Sequence, residues 1–371
     1  MRLTRQLFST YRPPPQIRYG TVTSVSTGIC TVQVAGGEIP VVTINGAPVN
    51  VGDFVMVQRQ GQVSYLGAVP SGALWATDSD LGIWRITTSG QFTRFNPPSG
   101  VIATKYLANG PDKRMWARSL IGVSAFTQGG QPTFYPLNNA NASAFGLAWD
   151  AYGYLWIVDQ GQAVQPYMWR MAPDGTYTTL GPFPSPAVFE LVATTPSGET
   201  WVTDVGASPG VWWGAANLNF ATDAVKIPLA AAVNDLVYGP DGNMWASDYL
   251  SPSLFVMNTG GLISTFPVPS ICGALCNGPG QYVWAASNGY NELYRVDPAG
   301  NVTPFTLTNG PYNTYALALC VGPDKNLWGI YQSGETPGYQ LGKFAPSGTL
   351  TLYQFPTVTP TAAPFQIAAG P

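Results

Sequence analysis

GPDGNMWASD, residues 239–248, is the stretch on which the reading of this chain turns. Pro240 presets φ for the first turn position, Asp241 can bond its own backbone, and Gly242 accepts the left-handed conformation that closes a hairpin. Met244-Trp245-Ala246 then reads as a buried strand. The phrase returns as GPDKRMW (110–116), GPGQYVW (278–284) and GPDKNLW (322–328). Working outward, Trp75, Trp116, Trp156, Trp201, Trp245, Trp284 and Trp328 lie 41, 40, 45, 44, 39 and 44 residues apart. After each Trp comes a second hairpin, as in IWRITTSG, MWRMAPDG, LYRVDPAG and LGKFAPSG, and then a strand ending in an aromatic and Pro, as in FTRFNPP and LTLYQFP. A period near 40 residues in such Gly- and Pro-rich segments is that of a four-stranded propeller blade, not of a helical solenoid.

The first Trp unit begins at Gly72-Ala73-Leu74-Trp75 without the usual preceding strand, and PFQIAAGP (364–371) matches the missing segment. The expectation is therefore an all-β chain: a seven-bladed propeller over 71–371 whose first blade receives its innermost strand from the C-terminal segment. Ring closure of this kind removes open sheet edges.

Composition agrees. The 371 residues include 42 Gly and 34 Pro, poor helix formers, with 13% aromatic residues, too many for a disordered chain. Charged residues are only 9%, which suits a protein held in a stable assembly. The net charge of −3 hides an asymmetry. Residues 1–70 carry five Arg against Glu38 and Asp53, and Arg2, Arg5, Arg12 and Arg18 fall in the first 18 positions. Residues 1–16 read as an extended Arg/Pro-rich docking arm. No stretch approaches the roughly 20 apolar residues of a membrane span, and MRLTRQLFSTYRPPPQ lacks the apolar core of a signal peptide, so synthesis in the cytoplasm is expected. The four Cys show no metal-ligand spacing; Cys276 and Cys320 occupy equivalent buried-strand positions, and a bridge from Cys272 to either is unsupported.

Residues 17–70 stand outside the repeat. Five strand-like runs, 17–25, 29–34, 38–44, 54–59 and 63–68, separated by turns such as Gly36-Gly37, point to a small OB-like barrel. The phrase GDFVMVQRQGQVSYLGAV resembles the end of OB-type domains in bacteriophage tail and baseplate proteins. OB barrels also bind single-stranded nucleic acid on aromatics in a basic groove, but Tyr19, Phe54, Tyr65, Arg18 and Arg59 are a thin set, and nucleic acid is not the expected partner.

The propeller repeat, GPDGNMWASD followed by LFVMNTGGLISTFPVP, closely resembles that of the virginiamycin B (streptogramin) lyase family over nearly all of 71–371. Members of that family are similar in using a His base, a Glu and Mg²⁺ to open a cyclic antibiotic. This chain has no His, so those catalytic residues have no position to occupy here and the expectation is that it is not an enzyme. No catalytic residue and no cofactor is assigned. Asp78, Asp159, Asp204 and Asp248, each three residues after a blade Trp, are the candidates for a Ca²⁺ or Mg²⁺ site; the other role open to them is to accept N–H bonds from their own loops, and that is the one expected. Trp212-Trp213, Tyr167 and Tyr312 could stack on sugar rings or pack between blades.

The expected function is that of a structural bacteriophage virion protein, a minor tail or tail-tip component. Residues 1–70 would dock on other virion proteins within a symmetric homo-oligomeric assembly, and the propeller would present a surface to a host glycan or other partner. A capsid decoration protein and a carboxylate- or metal-dependent lyase or hydrolase are the alternatives.

Overall fold

In the computed structural model the described backbone covers residues 16–26, 29–34, 37–42, 54–60, 63–66 and 72–370, apart from 80–81, 96–103, 120, 139–143, 160–165, 184–186, 216, 218, 290, 308–314, 333–338, 346–348 and 357–363. The chain divides into two compact units, one of Met1–Ser71 with Thr87–Gln91, the other of Gly72–Ile86 and Phe92–Pro371.

The first unit holds β1 (Gln16–Ser26), β2 (Ile29–Val34), β3 (Gly37–Val42), β4 (Phe54–Gln60) and β5 (Val63–Leu66). They close into a barrel in the order β1-β2-β3-β5-β4. Closure needs one long strand to serve two partners: β1 pairs with β2 through one stretch and with β4 through another, and a bulge between Val22 and Ser24 bends it. The last seam is the parallel pairing of β3 with β5 at Val42 and Tyr65. Cys30 and Val41, directly paired across β2 and β3, are fully buried. Arg2, Arg5 and Arg12 of the proposed docking arm lie outside the described residues, and of Arg18 only the backbone, in β1, is described.

The second unit is a β-propeller. Its described residues form seven four-stranded antiparallel sheets, and the one described helix is the single turn Phe220–Asp223. Six sheets are continuous in sequence; the first is composite, with Pro364–Ala369 paired antiparallel to Leu74–Asp78. The first strands of consecutive sheets touch one another all the way round: Thr104–Asn109, Ala144–Trp149, Phe189–Thr194, Val233–Tyr238, Cys272–Gly278, Tyr315–Val321 and Pro364–Ala369. They are the inner wall.

The repeat Trp residues make the sheets cohere. Each sits on a second strand and packs into the next sheet: Trp75 against Leu107, Met115 and Phe126, Trp116 against Leu147, Leu155 and Trp169, and so on to Trp328, which packs against Leu74, Ala76 and Trp84. An isolated sheet could not bury both faces, and stacking supplies the missing cover. Fully burying one large apolar side chain stabilises by about 1.5–3 kcal/mol, so each Trp is a substantial part of a sheet–sheet contact.

The GPD turn has two further jobs. Its Asp accepts the indole N–H of the Trp four residues on, at 3.2 Å in Asp112–Trp116, 2.9 Å in Asp241–Trp245 and 2.8 Å in Asp324–Trp328. In the third sheet Asp150, six residues before Trp156, does the same at 2.9 Å. Trp75, Trp201 and Trp284 have no such Asp, and their buried N–H groups lack a partner. The turn's first Gly lies against the edge of the same indole, where a Cβ on Gly110, Gly239, Gly278 or Gly322 would overlap the ring. The residue after Asp takes the left-handed conformation, with φ of 82° at Gly242 and 61° at Lys113 and Lys325.

Candidate functional site

Each of the seven first strands breaks register with its second strand, and the break falls at the same repeat position. Examples are Val233 to Asp235, Cys272 to Ala274 and Pro364 to Gln366. A bulge re-aims the side chain beside it. Here one residue beside each bulge lines the central cavity, ten residues before the blade Trp in six sheets and, in the composite sheet, two residues before the Ala368 that pairs with Trp75: Gln366, Tyr106, Gly146, Leu191, Asp235, Ala274 and Ala318, in order around the ring. The cavity has a volume of about 320 Å³, and Leu107, Asn234 and Leu317 complete this part of its wall. All seven sheets contribute, yet no two polar residues of the ring are alike.

Asp235 is its acidic member. One carboxylate oxygen accepts the N–H of Leu236 at 2.8 Å and the other accepts that of Leu275, on the next sheet, at 2.7 Å. Beside it the Asn234 amide donates to the Cys272 carbonyl at 2.9 Å, a second tie between the same two sheets. Burial raises the Asp235 carboxyl to about 6, and the two N–H bonds only partly oppose the shift. Burial, with Glu190 and Asp235 adding their charges, pushes the Tyr106 phenol up. Arg118, 6% exposed, is lowered by burial against the opposing pull of Tyr106 and Asp159. Across the ring, the buried amide oxygen of Gln366 has no hydrogen-bond partner. Near neutral pH, such a site can exchange a proton at Asp235 and can hold a small ligand against an apolar stretch of wall.

The four W-x-x-D carboxylates are engaged elsewhere. Asp78 accepts Gly82 N at 2.8 Å, the Trp84 indole at 2.7 Å and the Arg94 guanidinium at 2.9 Å. Asp204 accepts Val188 N, Gly206 N, the Trp212 indole and Lys226, the last at 2.7 Å. Asp248 accepts Leu250 N and the hydroxyls of Ser251 and Ser253. Asp159 is buried and in the electrostatic field of Arg118. Among the described residues no group of three or more His, Cys, Asp or Glu side chains is gathered so as to hold a metal ion. All four Cys are unbridged and buried; burial lifts Cys272 and Cys276 to about 12, so they are inert thiols. Trp213 stacks on Trp201 with ring centroids 6.0 Å apart, and Trp212 and Tyr167 pack into sheet–sheet cores; Tyr312 lies outside the described residues. No described helix is long and apolar enough to cross a membrane.

Residues 190–371 match the model of the virginiamycin B lyase family. No curated protein matches the sequence. Among solved structures, selenomethionine-substituted virginiamycin B lyase from Staphylococcus aureus is 14% identical, with 85% of this chain and 95% of that one covered and a TM-score of 0.58. A catalytically inactive variant of the lyase from the same organism, with quinupristin, is 13% identical over 85% and 96% at the same TM-score. The dihydro-heme d1 dehydrogenase NirN, with its ligand, is 10% identical over 81% and 75%, at 0.55. The second unit is thus a virginiamycin-lyase-like β-propeller.

These likenesses correct one expectation. The absence of His pointed away from an enzyme, but the matching family model is that of a lyase and the structures named above are of enzymes, so the likenesses point to an enzyme-like propeller family. The inference failed because it equated a proton-exchanging group near neutrality with imidazole. A partly desolvated carboxylate in a cavity wall is raised into the same range, as Asp235 is.

Proposed function

We propose that the chain is a minor tail or tail-tip component of a bacteriophage particle. In this reading an OB-type barrel over 17–70, with the arm 1–16, joins it to other virion proteins in a symmetric assembly. A seven-bladed, lyase-like propeller over 71–371 presents its central channel to a ligand on the host surface. The observation that carries the ligand-handling half is the channel ring, where seven bulges bring six side chains and Gly146 to one cavity. The docking half is supported by the tail-like phrase GDFVMVQRQGQVSYLGAV and by the barrel closed from β1–β5. The test is mass spectrometry of purified tails and capsids from particles assembled with the full chain and with residues 1–20 deleted. The full chain is expected in the tail fraction and the deletion variant in neither. Recovery only with capsids would make it a decoration protein, and normal incorporation of the deletion variant would remove the arm's role.

A second reading is favoured by Asp235. The same site would act as a carboxylate-dependent lyase or hydrolase on a cell-surface glycan or cyclic ligand, with Asp235 as the proton-transfer group. Incubation with host cell-wall polysaccharide should then release new reducing ends or unsaturated products, and Asp235→Asn should abolish them. Equal release by the wild type and the variant would exclude Asp235 from that role.

A further inference from the structure

The ring order gives the cavity two sides. Counting from the composite sheet, Asp235 comes from the fifth sheet, while Gln366 and Tyr106 come from the first and second, directly opposite in a ring of seven. On one side is a carboxylate whose two oxygens each already hold one backbone N–H, leaving each a further lone pair for a donor. On the other is an amide oxygen that is buried and unpaired, a costly arrangement unless a donor arrives. Between them Leu191, Ala274, Leu317 and Ala318 give the otherwise polar wall an apolar stretch. The space accommodates about ten water-sized groups at about 30 Å³ each.

We propose that the waist of the channel binds a compact organic ammonium, whose N–H groups bridge the Asp235 carboxylate and the Gln366 amide oxygen while its carbon skeleton lies on the apolar stretch. This rests on the reading of the channel as a ligand site and names the ligand's chemistry. Two acceptors stand on opposite sides of the ring, so the ligand must donate there, and the partly desolvated carboxylate favours a positive donor over a neutral one. A hard metal cation needs six or more oxygens and favours gathered carboxylates, whereas this wall offers one carboxylate, the Gln366 and Asn234 amides and the Tyr106 phenol. An ammonium needs only three acceptors and gains from the leucines and alanines that a metal would not use. Its sources are an amino sugar of a de-acetylated surface glycan or a free alkylamine.

The test is isothermal titration of the full chain with D-glucosamine and with ethylammonium, set against N-acetylglucosamine, glycerol and potassium chloride. Saturable binding of an ammonium probe is expected, with none by the neutral compounds or potassium. Preference for glucosamine would assign the amino-sugar source, and preference for ethylammonium the free amine. Gln366→Leu should weaken binding about tenfold or more, since a hydrogen bond to a charged group contributes about 1.5–3 kcal/mol. Asp235→Asn should do so more strongly, and Gln366→Leu keeps the test valid if Asp235→Asn fails to fold by circular dichroism. Absence of heat with both ammonium probes, or equal binding of N-acetylglucosamine, overturns the assignment. Neither result touches the particle-incorporation or polysaccharide assays, so this proposal and the functional reading fail separately.

Discussion

Two layers of the propeller, carried on the first and second strands of each sheet, obey opposite rules. At the blade Trp the chemistry is repeated seven times, and around it cluster the same Gly, Asp and turn wherever the sequence can supply them. At the channel ring the backbone is repeated, bulge for bulge, while the side chains differ: Gln, Tyr, Gly, Leu, Asp, Ala, Ala. Repetition of side chains marks the layer that holds the sheets together. A repeated backbone with divergent side chains marks the layer free to specialise.

The comparison can be broken most severely on the framework side. Asp78→Ala removes the acceptor of the Trp84 indole and of Gly82 N and takes the carboxylate away from Arg94, so a loss of about 3–5 kcal/mol is expected by denaturant unfolding. A loss under about 1 kcal/mol would mean that the W-x-x-D carboxylates do not anchor their loops. Next comes the ring's acid. Its folded pKa of about 6 exceeds the ordinary 3.8, so the stability it lends is fully present below pH 3.8 and declines as pH rises through 6. The decline is about 3 kcal/mol for this one group. Unfolding midpoints at pH 4 and pH 7.5 should therefore diverge more in the wild type than in Asp235→Asn; parallel profiles would mean that folding does not raise the Asp235 carboxyl. Gly239→Ala drives a Cβ into the Trp245 edge and should cost about 1–3 kcal/mol, measured by the shift in unfolding midpoint. The smallest effect belongs to the ring. Ala318→Ser changes a side chain that faces the cavity and should shift stability by less than about 1 kcal/mol, against the larger loss at Gly239. Equal losses at the two sites would erase the distinction between the layers.

Much of the framework was legible in advance because it is periodic. The Trp spacing, the GPD turns and the fit of PFQIAAGP to the first unit all rest on residues whose side chains dictate local structure, and the pairing of Pro364–Ala369 with Leu74–Asp78 is the one that fit implied. The N-terminal runs were legible through alternation and Gly turns, and each overlaps one of the strands β1–β5. The candidate site was not legible. A bulge such as that at Asn234 carries no side-chain signature, and Asp235 in AAAVNDLVYGP looks like any strand carboxylate until its strand is set in the inner wall. W-x-x-D misled in the other direction. Its regular recurrence suggested a shared rim, whereas Asp78 and Asp204 each serve an indole and a cation of their own sheet. Aligning the units on their Trp and asking which column is chemically irregular would have found the ring.

The composite first sheet has a consequence for biogenesis. Asp78 leaves the ribosome nearly three hundred residues before Pro364, the residue it pairs with. Until that strand emerges, the Leu74–Asp78 strand has a bare hydrogen-bonding edge, and Trp328 has no completed sheet to press against. Closure of this unit is therefore tied to the emergence of residues 364–369, and a ribosome stalled anywhere before residue 364 holds an unclosed horseshoe whose bare edge is open to aggregation.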